Sequence, residues 1–536
     1  MRRTFATTLV WAALATAAHA QELDDPRRPE DGDGPLGPLP EEELDERGVS
    51  PSSASPAAVR FPGDYTLEDL PPSGRVDVGG GQPLTVGQVW SSVERHHPTI
   101  AAARADLRAA EGERLAAEGG FDLTVSGQAW MAPAGYYNWG RAYLNLYQPT
   151  PLWGATFFGG WRIGRPFESD EDVDPGIPSY YRNYETLTGG ELRAGVRVPL
   201  WRDGPIDYRR RRLWRAEHAV DAYQRYTDAT LLYLQYEAAS AYWYWVAAGR
   251  KYEITAALLD LAEQRDTQIR ARVAAGAIPA IEALENRRVI LGRRRELVEA
   301  RRALERAAIA LSLYVRGRDG EPRVPPPARV PDFPEPPGPL EVDLAREIRR
   351  AVSTHPTLAR YEALLERQEV SVDYAENRFA PRIDVQLEAS IDLGEGNDRQ
   401  QSTYEDPVVE GSVLLEVPLQ FREARGGIAR ERGELASLRE DARLARNRIA
   451  AGVRDAHSAV RAAEQTVEMA RETAEVATAV AEAERRRFEL GATELFVVNL
   501  REQYAAQARK YLAEAEAALQ VARAQWRAAT ARGVAP

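Results

Sequence analysis

Residues 435–481 read LASLREDARLARNRIAAGVRDAHSAVRAAEQTVEMARETAEVATAVA. Small or aliphatic side chains fall at Leu435, Leu438, Ala442, Ala445, Ile449, Val453, Ala456, Val460, Ala463, Val467, Ala470, Ala474, Ala477 and Ala481, three or four residues apart and with no proline. That spacing is the seam of a coiled coil, narrower than the stripe of a globular helix. From Ile428 to Phe488 the helix would run roughly 90 Å, about three times the thickness of a bilayer's hydrocarbon core. A compact domain has no use for such a rod. Its alanines let backbones approach closely while each contact buries little, so stability must come from many contacts along neighbouring helices.

A second rod carries Leu231, Leu234, Ala238, Ala241, Trp245, Ala248, Tyr252, Thr255, Leu259 and Ala262 at the same spacing. It begins after Pro205 and stops near Gly276, where Ala277, Ile278 and Pro279 lead into a returning helix over 280–315. Glycine past a helix end and proline at the next start make a tight reversal. The first rod turns in the same way at Gly491, followed by Ala492 and Thr493.

Before each rod the apolar period changes to two. Residues 121–131 and 190–200 alternate apolar with polar in the first half, and 382–393 and 408–419 do so in the second. Each is about 10 residues long, the length a tilted strand needs to span a bilayer. Between the first two strands, residues 132–189 are rich in aromatics, and two readings stay open. They form an external loop, or they add a hairpin pairing Arg141 to Gln148 with Ala155 to Ile163.

The totals narrow the function. Across 536 residues the net charge is −12, which argues against nucleic acid, and the absence of cysteine excludes disulfides and thiolate metal sites. Residues 1–20 read as a signal peptide, with Arg2 and Arg3, an apolar run and Ala18-His19-Ala20 before Gln21, so cleavage is expected between Ala20 and Gln21. No later run is long and apolar enough for a membrane helix. Residues 21–82, acidic and rich in Pro and Gly, read as a disordered tail, and 317–340 as a proline-rich linker. The letters Gly32 to Gly37 match a dinucleotide fingerprint but follow no strand. No histidine pair has a ligand spacing and no nucleophile or P-loop motif occurs, so no catalytic residue, metal or cofactor is expected.

The chain then repeats its plan. His97-Pro98-Thr99 recurs as His355-Pro356-Thr357, Val198-Pro199-Leu200 as Val417-Pro418-Leu419, and Gly276 as Gly491. Two halves, 83–316 and 341–532, each read as helix, two strands, long helix, glycine turn and returning helix. Four strands cannot close a barrel, and open edges are not tolerated in lipid, so several copies must share one sheet.

This plan resembles the outer-membrane factor family, the TolC-like channels of bacterial efflux and type I secretion. The likeness lies in the paired His-Pro starts, the exits Val198 to Gly204 and Val417 to Leu419, and the turn Arg487 to Thr493, over roughly 84–532. It implies a mainly α chain with a membrane β-barrel. The long coiled-coil helices would form an α-barrel continuous with a trimeric 12-stranded β-barrel. It also implies a homotrimer in the outer membrane with a periplasmic extension, acting as exit duct for an inner-membrane pump and a periplasmic adaptor. By position Gly276, Ala277, Gly491, Ala492 and Thr493 would be the adaptor-docking turns. Glu282 stands where the family has an aspartate after the turn, with Glu285 one helical turn on, and Phe488 stands where the family has a gate aromatic. The alternative is a periplasmic coiled-coil scaffold or adaptor without a pore, which would not need the period-two segments.

Overall fold

The computed structural model describes residues 78–532 except 80, 134–138, 167–184, 336–337, 397–402 and 405. These fall in the compact unit Arg75–Pro536. The expected signal peptide with its Ala20–Gln21 cleavage site, and the tail as far as residue 77, lie outside the described residues.

The described residues open with helices α1 (Val86–His96) and α2 (Pro98–Glu118). Strands β1 (Thr124–Ala132), β2 (Trp139–Pro149), β3 (Thr156–Pro166) and β4 (Gly190–Pro199) follow. Helices α3 (Tyr208–Ala274) and α4 (Ala280–Ser312) complete the first half. The second half runs through α5 (Leu344–Thr354), α6 (Pro356–Asn377), β5 (Arg382–Leu393), β6 (Val408–Glu416), α7 (Arg422–Glu489) and α8 (Leu495–Ala529).

The two His-Pro starts have one physical cause. His97 and His355 are the N-caps of α2 and α6, and Nδ1 of each accepts the N–H two residues on, at 3.3 Å from Thr99 and 3.2 Å from Thr357. Pro98 and Pro356 take the first helical position, where a missing N–H costs nothing. The caps work only while the imidazole is neutral, because a protonated Nδ1 donates and no longer accepts. Burial lowers the pKa of His355, and burial with the nearby Arg316 lowers that of His97 against a smaller opposing effect of Glu237. Both folded values therefore lie below the ordinary 6.5. Below that pH the unfolded chain binds more protons, so the stability from these caps is present above 6.5 and is lost as pH falls through it towards the folded values. Melting of the purified protein should therefore weaken on acidification by up to about 1 kcal/mol per cap. The double variant His97→Asn with His355→Asn, which keeps a capping oxygen that does not titrate, should flatten that part of the slope. An identical slope in parent and variant would remove the histidines as its cause.

The main core gathers around α3. Trp245 and Val246 are fully buried with Val89, Val93, Leu304 and Leu311, and the Tyr242 hydroxyl donates to the Leu84 carbonyl at 2.7 Å. The run Tyr242 to Trp245 thus packs as core, apart from the exposed Tyr244. The proline-rich segment after α4 does more than connect. Val330 is buried and sits so close to Gly249 that an added Cβ would lie 2.7 Å from it. Backbone bonds from Gly81 to Ala328 and from Leu84 to Arg329 tie that segment to the residues just before α1. A second core lies on α7 and α8, with Val453, Val460, Val467, Leu519 and Trp526.

Among the described residues six strands form one antiparallel sheet in the order β1-β2-β3-β4-β5-β6. The expectation of four strands per chain is corrected here, because β2 and β3 are the hairpin left open within 132–189. A twelve-stranded barrel from three copies no longer follows from the strand count. Two strand ends also shift. Residues 119–121 form a single 3-10 turn, so β1 starts at Thr124, and β6 ends at Glu416 just before Val417-Pro418, where proline has no N–H to donate.

The β2–β3 turn is anchored from below. The Thr150 N–H and its hydroxyl both donate to the Ala155 carbonyl across it, at 2.9 and 2.8 Å. Gly154, at φ 67°, packs so tightly that a Cβ would lie 2.5 Å from the Asp203 carbonyl and 3.1 Å from Pro199. The buried Arg210 at the start of α3 donates to the carbonyls of Asp203, Gly204 and Pro205 and pairs with Asp207. One arginine thus fixes both the strand exit and the floor under the hairpin.

Candidate membrane face and helical tip

The register sorts the sheet into two chemically distinct faces. One face carries Val125, Ala129 and Met131 of β1 beside Leu146, Leu144 and Ala142 of β2. It continues through Phe157, Trp161 and Ile163 of β3 to Leu192, Val196 and Val198 of β4. Ile391, Leu387 and Val385 of β5, then Val409, Val413 and Leu415 of β6, complete it. Most of the large side chains on this face stay exposed in the single chain, from Ile391 at 40% to Val409 at 78%, while Trp161, Ile163, Val196, Val198 and Val385 are half-buried. An apolar face of this size exposed to water would be an aggregation site; facing lipid it is at home.

The opposite face is polar and is laced across strands. Arg162 of β3 pairs with Glu191 of β4, and Arg193 of β4 lies 3.5 Å from Glu388 of β5. Arg197 donates to Gln386 at 3.3 Å, and the Arg141 guanidinium stacks over Trp130 at 5.4 Å.

At the far end of the rods both turns close alike. The Gly276 N–H donates to Val273 and the Ala277 N–H to Arg272, while Gly491 donates to Phe488 and Ala492 to Arg487. Each is the six-to-one and five-to-two pair of a Schellman ending, with glycine at φ 70° and 73°. Nothing lies within 4 Å of a Cβ placed on either glycine, so the surfaces of both turns are open. Thr493 is half-buried just beyond the second turn.

The expected gate residues sit near these turns without meeting in one chain. Glu282 is in the first turn of α4. Glu285 makes a bidentate ion pair with Arg288 of the same helix at 2.9 and 2.6 Å, and that guanidinium lowers its pKa. Its charge is thus locally matched, which leaves Glu282 as the less compensated of the two. Phe488 is half-buried, with its carbonyl capped by Gly491.

A cluster that sequence reading did not pick out lies between the tip and the core. Glu502 of α8 is held by Arg265 of α3, by Arg293 of α4 at 3.2 Å and by Arg485 of α7 at 3.4 Å. Asn499 accepts from Arg265 at 2.8 Å, and the Leu258 carbonyl accepts from Arg293 at 2.7 Å. Four helices meet on one carboxylate. The signal was present, since Arg265 follows Ala262 by three residues on the α3 seam and Glu502 follows Val498 by four on α8.

Among the described residues no group of three or more potential metal ligands comes together, and no helix is long and apolar enough to cross a membrane. Residues 348–532 match the family model described as Outer membrane efflux protein. Over those residues the chain is similar to outer membrane efflux proteins. No curated protein sequence matches the chain significantly. The fold is similar to that of solved outer-membrane channels. With the CmeC outer membrane channel of Campylobacter jejuni the TM-score is 0.57 at 12% identity, covering 84% of this chain and 86% of that one. With the outer membrane protein VceC of Vibrio cholerae it is 0.57 at 14%, covering 83% and 95%. With the open state of the MtrE outer membrane channel of Neisseria gonorrhoeae it is 0.54 at 14%, covering 83% and 88%. The match over 348–532 and the shared fold make the chain similar to outer-membrane channels.

Proposed function

We propose that the protein is the exit duct of a tripartite efflux or type I secretion system. It would work as a homotrimer whose sheets join into a barrel and whose coiled-coil helices join into a periplasmic tunnel. The carrying observation is that one polypeptide passes from rod to apolar-faced strand and back in each half. That order, helix pair, strands, long helix and return, is read as an internal duplication with repeats 83–316 and 341–532. In this reading the apolar sheet face meets lipid and the polar face lines the lumen, after export directed by residues 1–20. A scaffold without a pore would have no use for such a sheet. The test is the gel mobility of outer-membrane fractions: a heat-sensitive oligomer of three copies is expected, and a soluble periplasmic monomer would refute the reading.

The open turns at Gly276–Ala277 and Gly491–Ala492–Thr493 are proposed as the surface met by a periplasmic adaptor, which in turn engages an inner-membrane pump. Glu282, Glu285 and Phe488 are proposed to line the closed end of the tunnel. Replacing both glycines by alanine forces side chains into the left-handed region at about 1–2 kcal/mol each and leaves packing elsewhere untouched. The double variant should still insert as an oligomer while adaptor co-purification and substrate export fall together. Export at the parental level would place docking elsewhere.

A further inference from the structure

We infer that the β2–β3 hairpin is part of the membrane wall, so that each copy supplies six strands and the proposed trimer closes an eighteen-stranded barrel. This rests on the trimeric reading above and departs from the twelve strands implied by family resemblance.

The first support is the register. The hairpin is hydrogen-bonded along both flanks, β2 to β1 over nine residue pairs and β3 to β4 over seven. Leu144, Leu146, Phe157 and Trp161 fall in line with Val125 on one side and with Leu192 and Val196 on the other. A hairpin folded over the outside of a closed barrel would have no reason to keep the lipid-facing row unbroken. Its strands are also long enough, with 11 residues each.

The second support is the fit between sheet and rods. Helices α2, α3, α6 and α7 pack side by side in that order, and they connect directly to β1, β4, β5 and β6. Four helices at ~8–10 Å span an arc of about 32–40 Å. Six strands tilted by about 40° span about 38 Å, whereas four span only about 25 Å. With the hairpin in the wall the two tiers have matching girth.

The occupant of the open edges is a second copy of this chain. Among the described residues β1 pairs with β2 alone and β6 with β5 alone, which leaves two rows of backbone groups that lipid cannot satisfy. Both edges are nine residues long, and with six alternating strands β1 runs antiparallel to β6, so head-to-tail closure keeps the sheet antiparallel.

The test uses the full-length oligomer in lipid nanodiscs, with its mass giving the copy number and electron cryo-microscopy the strands in the ring. Three copies and eighteen strands are expected. Three copies with twelve strands overturn the inference and leave the trimer intact; any other copy number overturns both. Spin labels give an independent readout, and they are specific because the chain has no native cysteine. A label at Leu144→Cys should be relaxed by oxygen dissolved in lipid, and one at the adjacent Asn145→Cys by a water-soluble nickel chelate. Equal access of the chelate to both would place the hairpin in water and end the proposal.

Discussion

Replacing Glu502 by alanine is expected to destabilise the helical body by about 3–5 kcal/mol, the largest single-residue effect in the rods. The Glu502 side chain is 1% exposed and those of Arg265 and Arg293 are 8% and 4%. Burial already pulls the Arg293 pKa down, and Glu502 is the main group that opposes this, with a smaller effect of Glu296. Without the carboxylate two guanidiniums stay in a site that cannot solvate them. Arg485 differs, being 35% exposed, so Arg485→Ala should cost under about 1 kcal/mol. The attraction within the cluster is offset by the cost of desolvating it, so replacing Glu502, Arg265 and Arg293 together by apolar residues of similar size should recover most of the loss. Denaturant midpoints of the four proteins decide the matter. An alanine variant within about 1 kcal/mol of the parent would mean that water reaches the cluster.

The cluster has a structural consequence as well. Arg265 lies about 16 Å up the rod from Gly276 at the helical rise. Because the carboxylate joins both helical hairpins, it sets their spacing near the open turns. Glu502→Gln keeps the shape and one accepting oxygen while losing the charge, so it should fall between parent and alanine.

Much of this architecture was legible as periodicity. The seam positions Val453, Ala456, Val460, Val467 and Ala470 are buried, and the glycine reversals sit at Gly276 and Gly491 as their flanking residues imply. Strand β5 coincides with the alternating segment 382–393. The hairpin was harder to read because β2 and β3 mix aromatics onto both faces. Tyr143, Tyr147 and Phe158 point to the polar side, and Gly159 and Gly160 leave gaps on both. Phe158 fits there because Gly195 lies opposite, where a Cβ would approach its ring to 2.4 Å. That complementarity is a pairing across strands, which an alternation count along one strand does not register. The Arg265–Glu502 cluster escaped for a related reason. A charged residue on a seam reads as an interruption until its partner on a helix 237 positions away is known.

A lipid-facing charge should separate the two faces of the sheet most sharply. Leu387 is central in β5, 55% exposed, and opposite Val196 and Gly411 on the apolar face. Arginine at the bilayer midplane costs about 2–4 kcal/mol, and every copy in a ring would carry one. Leu387→Arg should therefore abolish the heat-sensitive oligomer in the outer membrane. Ser412 of β6 pairs with Gln386 on the polar face, two residues from Glu410. An arginine there meets water and an acidic neighbour, so Ser412→Arg should assemble at nearly the parental level. The contrast between the pair carries the argument, because a general loss of strand propensity would harm both alike. Equal assembly of the two variants would show that the apolar face does not meet lipid, and the exit-duct reading would fall with it.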